Sequence, residues 1–293
     1  MTLKKKFILG VFMCLFAVIL SVKPAYASST VEGENYTIST AYNMGSYLNL
    51  KSVTAILPAR EKTSYFKFTV NSNDKIYVRC SRDKAYTGMA LSLRDSLDNP
   101  ITTRSNVYDA STLTPFMAVD CDGAKDGQTF YVRVERGTYD IDKPMYFSIT
   151  LNNRIRSGSG TFDFIGTAFN SGNSSMSKYG VDSSVIKVDL SNNTEIPAGA
   201  IVKRASTSSR QTPRQGNVKH FLMPKSEKIW YESRTSSENS GSYKISESDL
   251  IAAKQVWQFK YNAKALKSSK MTDVKLTLDW TYDLANTNYK IVS

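Results

Sequence analysis

The sequence predicts an all-β protein, with two β-sandwich (jelly-roll-like) domains in tandem after a cleaved signal peptide. Short runs that alternate apolar and polar residues recur along the chain, separated by clusters of Asn, Asp, Gly and Ser. No long helical pattern interrupts them. A chain of 293 residues is also long enough for two domains of ordinary size. These three observations predict two stacked-sheet domains.

The first half contains alternating runs that end at turn residues. The clearest example precedes the turn at 71–74, and a second strand resumes directly after that turn. The strands predicted in this half are 65–70, 75–79, 89–94, 129–135 and 145–151. Strands at this spacing, with turn signals between them, are typical of a sandwich or jelly roll.

The second half repeats this style without repeating the sequence. In residues 275–282, Leu276, Leu278, Trp280 and Tyr282 alternate with polar residues and so define one buried face. A short helical turn is expected to begin near Ser246. The strands predicted here are 161–168, 184–190, 200–205, 218–223, 229–233, 256–261 and 274–282.

The N-terminus has the three parts of a secretory signal peptide. Lys4, Lys5 and Lys6 precede an apolar run from Phe7 to Val22, and Ala25-Tyr26-Ala27 forms a small-x-small cleavage site. An uncleaved anchor is the alternative. The predicted organisation is a signal peptide at 1–27, a first sandwich at 28–152, a linker at 153–160 and a second sandwich at 161–293. The signal peptide predicts that the protein is secreted, and no transmembrane segment is expected in the mature chain.

Removal of residues 1–27 takes away four lysines and no acid, so the net charge falls from +12 to +8. This charge predicts attraction to an anionic cell wall or membrane surface, although a merely soluble basic surface also explains it. The basic residues are dispersed rather than clustered. No helix or aromatic platform with interleaved arginines appears, so nucleic acid is not an expected partner.

Two cysteines, Cys80 and Cys121, remain after the signal peptide. Each alternates with apolar residues on a predicted strand, so both sulfurs should point into the core. In an exported protein, an even pair favours one disulfide, which would stabilise the fold by about 4 kcal/mol. Two buried thiols that never meet are the alternative.

The first half also resembles a known family in the order of its motifs. An aromatic strand is followed by an Asn/Asp turn, further strands and two closing aromatic strands; these are Ser64–Thr69, Lys75–Val78, Leu91–Asn99, Phe130–Val134 and Tyr146–Leu151. This order resembles the bacterial pre-peptidase C-terminal domain over residues 36–152. The resemblance implies an accessory, surface-binding β-sandwich without catalytic residues. That family usually follows a peptidase domain, whereas this copy opens the mature chain. No family is recognised for residues 160–293.

Catalysis by a histidine would have to use His220, because it is the only histidine in the chain. His220 alternates with Val218 and Leu222 on a predicted strand, and neither Gly-x-Ser-x-Gly nor His-Glu-x-x-His occurs. The sequence therefore predicts a structural or surface histidine. A glycosidase with two carboxylates stays open, since such acids can come from distant strands. The acids available in this half are Glu195, Glu227 and Glu232.

One loop has the composition of a calcium site. Asp120, Asp122 and Asp126 lie in the stretch DCDGAKDG, and hard oxygen ligands on a glycine-bent loop suit Ca²⁺. Asx-rich turns also form without a metal, so a plain turn is the alternative. No other cofactor is expected.

A ligand-binding surface is predicted near the stretch NVKHFLMPKSEKIWYESR of residues 217–234. Trp230 and Tyr231 are adjacent, so on a strand they face opposite ways and one of them is expected outside. Arg210 and Arg214 lie on a predicted polar loop at 207–216 that precedes this strand pair. Trp257 and Trp280 follow core patterns instead.

These observations together predict a secreted, non-catalytic accessory or binding protein. It would act at the cell surface or on an extracellular glycan or anionic polymer, with a cell-wall or glycan surface or another secreted protein as its partner. Two alternatives stay open: a secreted hydrolase with a carboxylate pair in the C-terminal domain, or a modulator of a secreted protease.

Overall fold

The structure, a computed structural model, describes residues 29–31, 33–49, 52–104, 108, 115–234 and 238–291. The predicted signal peptide of residues 1–27 lies outside this part of the chain. The described residues form strands and three short 3-10 helices, Tyr47–Asn49, Glu247–Asp249 and Leu284–Thr287, and they include no α-helix. The all-β prediction is confirmed. The helical segment expected near Ser246 is shortened to a single turn.

The N-terminal half forms two five-stranded sheets, in the orders β1-β3-β10-β5-β8 and β2-β4-β9-β6-β7. Its strands are β1 Ser29–Thr30, β2 Tyr42–Ser46, β3 Ser52–Leu57, β4 Thr63–Val70, β5 Lys75–Ser81, β6 Ala90–Arg94, β7 Pro100–Arg104, β8 Phe116–Asp122, β9 Gln128–Glu135 and β10 Met145–Asn153. The pairings β1–β3 and β2–β4 are parallel. All five strands predicted for this half are present, as β4, β5, β6, β9 and β10.

The C-terminal half also forms two sheets. One has the order β11-β20-β15-β18 with β12 on β20, and the other has the order β13-β19-β16-β17 with β14 on β19. Its strands are β11 Ile155–Asp163, β12 Ala168–Asn170, β13 Val181–Asp182, β14 Ile186–Asp189, β15 Ile201–Thr212, β16 Lys219–Pro224, β17 Tyr231–Glu232, β18 Ser240–Ser242, β19 Val256–Ala263 and β20 Ser269–Asp283.

Two clusters of buried side chains hold these sheets together in a β-sandwich-like arrangement. One cluster is built around Phe66 and Phe68 of the N-terminal half, and the other around Trp257 and Phe259 of the C-terminal half. Buried and more exposed side chains alternate along strands such as β9, β10 and β19, so one face of each of these strands turns to a core. The division into two domains stays a prediction.

The prediction of a linker at 153–160 is wrong, because this stretch is mostly strand. β10 ends at Asn153 and β11 begins at Ile155, and the whole of β11 pairs with β20. The glycines serve packing rather than flexibility. A Cβ at Gly158 would lie 2.7 Å from Nε1 of Trp280, and one at Gly160 would lie 3.1 Å from Cη2 of the same ring. The strand carries glycines because the Trp280 ring lies against it.

Arg154, the single residue between β10 and β11, ties the two halves together. Its side chain is only 7% exposed and bonds Asp122 at 2.7 Å and Asp283 at 2.9 Å, with Asp120 at 3.4 Å. Burial lowers the pKa of this guanidinium, but the three carboxylates outweigh that effect and raise it. The Tyr289 hydroxyl also donates to Asp120 at 2.8 Å. Groups from both halves therefore share one hydrogen-bonded cluster.

The predicted disulfide is wrong, because Cys80 and Cys121 are both free thiols. They lie on neighbouring strands, but Cys80 is opposite Met117 and Cys121 is opposite Ile76. Four residues of register separate the two cysteines, or about 13 Å along the strands, which far exceeds the reach of a disulfide. Burial raises the pKa of Cys80 and raises that of Cys121 to about 12. Both are inert core residues.

Candidate ligand-binding face

The sheet β13-β19-β16-β17 turns an unusual set of side chains away from the core. On β16 and β19, His220, Trp257 and Phe259 point inward, whereas Phe221 and Lys260 point outward. The pairing register places these outward residues side by side across the strands. We call this group the outer face; it consists of Asp182, Lys219, Phe221, Trp230, Glu232, Lys260 and Asn262.

Lys260 is the centre of the outer face. Its Nζ lies 4.7 Å from the centroid of the Trp230 ring and 5.5 Å from that of Phe221. The same ammonium bonds Asp182 at 2.5 Å. A cation that lies over aromatic rings is attracted by their electron-rich faces. These contacts hold the Lys260 side chain in place and orient the two rings around it.

Asp182 is ionised and fixed by its neighbours. Burial alone would raise its pKa, but hydrogen bonds from Asn262 and Lys260 outweigh burial and lower the pKa below its ordinary value. The amide of Asn262 donates to Asp182 at 2.8 Å. The outer face therefore offers a fixed carboxylate and an amide beside the aromatic rings.

A cavity of about 410 Å³ adjoins this group. The Lys219–Glu232 ion pair lines one part of it. Tyr179, which is 75% exposed, lines another part, with Lys178 Nζ 4.9 Å from its ring. The full lining consists of Lys178, Tyr179, Asn217, Lys219, Phe221, Glu232, Asn262 and Lys264. Aromatic rings with hydrogen-bonding and basic groups around a concavity can stack on a sugar ring and bind its hydroxyl or anionic substituents.

The inward side of the same sheet packs into the core, where its polar side chains form hydrogen bonds with other buried groups. His220 is fully buried, and its Nδ1 lies 3.1 Å from the Thr207 hydroxyl, which in turn lies 2.8 Å from the Tyr243 hydroxyl. The imidazole also packs edge-on against Phe259, with centroids 5.1 Å apart. The sequence predicts a structural or surface histidine, and the buried position of His220 is the structural one of these two alternatives.

The four predicted ligand-binding residues are not brought together. Trp230 reaches the outer face, whereas Tyr231 is partly buried against the core. Arg210 lies on β15 of the other sheet near Asp273, and Arg214 lies in the turn after β15 near Glu238. The expected grouping of the arginines with Trp230 is therefore wrong.

The polar stretch 207–216 was expected to be a loop, but β15 extends through it to Thr212. Thr207 and Gln211 are buried, and their polar groups find partners inside the sandwich. Because those hydrogen bonds offset the cost of burial, a strand of polar residues forms where polarity alone indicated a loop.

The calcium site expected at Asp120, Asp122 and Asp126 is also corrected. Asp120 and Asp122 both contact Arg154, while Asp126 accepts from the backbone N–H of Ser72 at 2.9 Å. Among the residues that the structure describes, no group of three His, Cys, Asp or Glu side chains could hold a metal ion. A guanidinium balances the two carboxylates that were expected to ligate calcium.

The acids considered for a hydrolase lie on separate surface segments. Glu232 is paired with Lys219 on the outer face, Glu227 lies in the turn between β16 and β17, and Glu195 lies in the turn after β14. All three are exposed. This arrangement gives no support to a carboxylate pair.

Sequence reasoning missed Phe221, Lys260, Asp182 and Asn262. A partial signal was present, since the alternation that places Trp257 and Phe259 inside also places Lys260 outside. The sequence could not show that β13 and β16 lie beside β19 and that β17 lies beside β16, and this neighbourhood creates the face. In the described residues, no helix is long and apolar enough to cross a membrane.

The fold and the outer face define an all-β, β-sandwich-like protein with a candidate binding surface. No family model matches the chain. It is, however, 42% identical over 276 residues to the uncharacterized protein YbdN of Bacillus subtilis (strain 168), an alignment that covers 92% of this chain and 96% of YbdN. The chain therefore belongs to the same family as YbdN.

Two solved structures show weaker likeness. The pre-peptidase C-terminal domain of a collagenase from Bacillus anthracis aligns with 38% of this chain and 94% of its own, at 16% identity and a TM-score of 0.28. A crystallised protein from Eubacterium rectale aligns with 88% of this chain and 89% of its own, at 12% identity and a TM-score of 0.39. The first is a domain of the kind that residues 36–152 resemble.

Proposed function

We propose that this chain is a secreted, non-catalytic binding protein whose outer face binds an extracellular glycan or anionic polymer at the cell surface. The observation that carries the proposal is the placement of Lys260 between Trp230 and Phe221, beside a cavity of about 410 Å³. Aromatic rings grouped around a cation beside a concavity are a common feature of ligand-binding sites.

The chemistry of the face favours a sugar-containing ligand. An aromatic ring can stack on the apolar side of a pyranose, while the carboxylate of Asp182 and the amide of Asn262 can bind hydroxyl groups. Lys178 and Lys264 add positive charge at the rim of the cavity. A polymer with phosphate or carboxylate substituents would use both the rings and the lysines.

Three further observations support the proposal. The predicted signal peptide and the positive net charge favour an extracellular anionic partner. The resemblance of residues 36–152 to a pre-peptidase C-terminal domain favours an accessory role. The dispersed positions of Glu195, Glu227 and Glu232 favour binding rather than hydrolysis.

The test is retention of the chain on purified cell wall, peptidoglycan and an uncharged polysaccharide, each across a salt series. We expect retention on one of the glycans at low salt, and a loss of about thirtyfold in affinity for Trp230→Ala, since a central aromatic side chain contributes about 2 kcal/mol. Phe169→Ala is the matched control, because Phe169 is an exposed aromatic residue on β12, in the other sheet.

Two outcomes would count against the proposal. One is an absence of retention on every glycan at low salt. The other is equal retention of the Trp230→Ala and wild-type chains. Hydrolysis of the polysaccharide during the assay, detected as new reducing ends, would contradict the non-catalytic part of the proposal.

A further inference from the structure

Two turns of the C-terminal half meet at one end of its sandwich. We call residues 171–180 and 264–268 the tip. The backbone N–H of Asn173 donates to the carbonyl of Ala265 at 2.9 Å. The buried Asn173 amide also donates to the carbonyls of Ser177 at 2.8 Å and Lys264 at 3.3 Å. The two turns are therefore fixed to each other as one surface.

The backbones approach so closely that only glycine fits between them. Gly172 has a φ of +88°, and a Cβ on it would lie 2.3 Å from the carbonyl oxygen of Leu266. This contact fixes the position of the Leu266 backbone, and with it the starting point of the Leu266 side chain. The tip presents its side chains from a defined platform.

The tip exposes large apolar side chains. Met176 is 77% exposed, Tyr179 75% and Leu266 60%. A single exposed apolar residue is normal on a protein surface, but three on two connected turns form a patch. None of them is needed to fill a core.

The charge of the tip is of one sign. It contains Lys178, Lys264 and Lys267, all exposed, and its sequence includes no acidic residue. Asp182 is the first acidic residue after the turn at 171–180, and it forms an ion pair with Lys260. The patch is therefore apolar and positively charged at once.

We propose that the tip docks onto an anionic lipid bilayer, with Met176 and Leu266 entering the interface and the lysines contacting lipid phosphates. Apolar side chains gain free energy on leaving water, tyrosine is favoured at the headgroup level, and basic residues are attracted by the negative surface potential. A neutral apolar partner would leave the lysines without compensation, and a purely anionic polymer would leave the apolar side chains in water. The tip shares Lys178, Tyr179 and Lys264 with the lining of the cavity beside the outer face, whereas Met176, Leu266 and Lys267 lie outside that lining. The proposal rests on this second group and does not depend on glycan binding by the outer face.

The experiment is co-sedimentation of the full chain, as purified from cells that process it, with two kinds of vesicle. One kind is phosphatidylcholine mixed with phosphatidylglycerol, and the other is phosphatidylcholine alone. We expect binding to the anionic vesicles that weakens with salt, and little binding to the neutral ones. Every variant carries the same N-terminus, so the segment before Ser29 cannot explain a difference between variants.

Paired variants separate the two contributions. The double variant Met176→Ser/Leu266→Ser should bind about tenfold more weakly. Lys264→Gln/Lys267→Gln should bind about twenty-five times more weakly, at about fivefold per lysine. Leu97→Ser and Lys84→Gln are matched controls on exposed turns of the N-terminal half and should bind as wild type.

Three results would overturn the proposal: no binding to anionic vesicles, equal binding to neutral vesicles, or equal loss in the control variants. Trp230→Ala distinguishes this surface from the outer face, since it should leave vesicle binding unchanged. If Met176→Ser/Leu266→Ser weakened retention on peptidoglycan while vesicle binding stayed at the wild-type level, the tip would belong to the glycan surface instead.

Discussion

Two tryptophans on opposite sides of one sheet show how differently the same side chain can be used. Trp257, on β19, is fully buried, and its Nε1 donates to the carbonyl of Ala253 at 3.1 Å. Trp230, just before β17, lies outside with Lys260 at 4.7 Å from its ring. The ring of Trp257 is packed inside the protein, and its N–H group has a hydrogen-bond partner there. Trp230 is held by a cation, which leaves part of its ring available to a ligand.

This difference shows that alternation along a strand predicts which face of the sheet a side chain lies on, but not whether that side chain serves stability or binding. The inward side of this sheet is closed by Trp257, Phe259 and the His220 hydrogen bonds. The outward side also carries aromatic rings and polar groups, but they are partly exposed to solvent. Stability is expected to depend on the inward set, and binding on the outward set.

The largest expected effect comes from truncating each tryptophan. Trp257→Ala should lower the free energy of unfolding by about 4 kcal/mol, because it leaves a large cavity in the core. Trp230→Ala should lower it by at most about 1 kcal/mol, the value of an exposed cation–π contact. Denaturant unfolding of both variants measures this. If Trp230→Ala were as costly as Trp257→Ala, Trp230 would be a core residue and the comparison would fail.

The next contrast is between a buried cation, Arg154, and a partly buried one, Lys260. Arg154→Met should cost about 3 kcal/mol, because Asp120, Asp122 and Asp283 lose the guanidinium that they share. Lys260→Met should cost about 1 kcal/mol, since Asp182 keeps its hydrogen bond from Asn262. Thermal or denaturant unfolding gives both values. Equal costs would show that Lys260 serves the fold rather than a ligand.

The sequence predicted the alternation of β19 and β20 and the positions of most strands, because burial on one face imposes a period of two. It did not predict register. Cys80 and Cys121 both point into the core, as a disulfide between them would require. The pairing of β5 with β8, however, offsets them by four residues. Register depends on contacts between distant segments, which a single sequence does not display.

The sequence also misled wherever polar or small residues were used inside the structure. The composition of the Gly and Ser residues in β11 predicts a linker, although Gly158 and Gly160 make room for the Trp280 ring. The polarity of Thr207 and Gln211 predicts a loop, although their hydrogen bonds are inside the sandwich. In the candidate site only Trp230 was anticipated, because the outer face needs neighbours that the fold supplies.

A smaller effect distinguishes hydroxyl groups inside and outside the sandwich. Thr207→Val removes the hydroxyl that contacts both His220 and Tyr243, and should cost about 2 kcal/mol because polar groups stay buried. Thr277→Val is the matched control. Its hydroxyl pairs with Thr161 at an exposed position, so the change should stay within about 0.5 kcal/mol. Unfolding at neutral pH measures both, and equal costs would contradict a sealed inner side.

The smallest effect is the pH dependence of the ion pair on the outer face. The pKa of Asp182 is lowered in the folded chain because the hydrogen bonds from Asn262 and Lys260 outweigh the effect of burial. A group with a lowered folded pKa stabilises the fold above its unfolded pKa of about 3.9, and that contribution is lost as the pH falls through the folded value. Asp182→Asn should therefore be less stable than wild type by about 0.5 kcal/mol at neutral pH, the value of a partly exposed pair.

At strongly acidic pH the same two chains should become equally stable, because the wild-type carboxyl is then protonated and neutral like the amide. Denaturant midpoints of both chains, measured from neutral pH down to below the ordinary Asp pKa, follow this convergence. All other acids are shared by the two chains, so they cancel in the difference. A stability difference that stayed constant over the whole pH range would show that Asp182 acts through shape rather than charge, and Lys260 would then be held by the two rings alone.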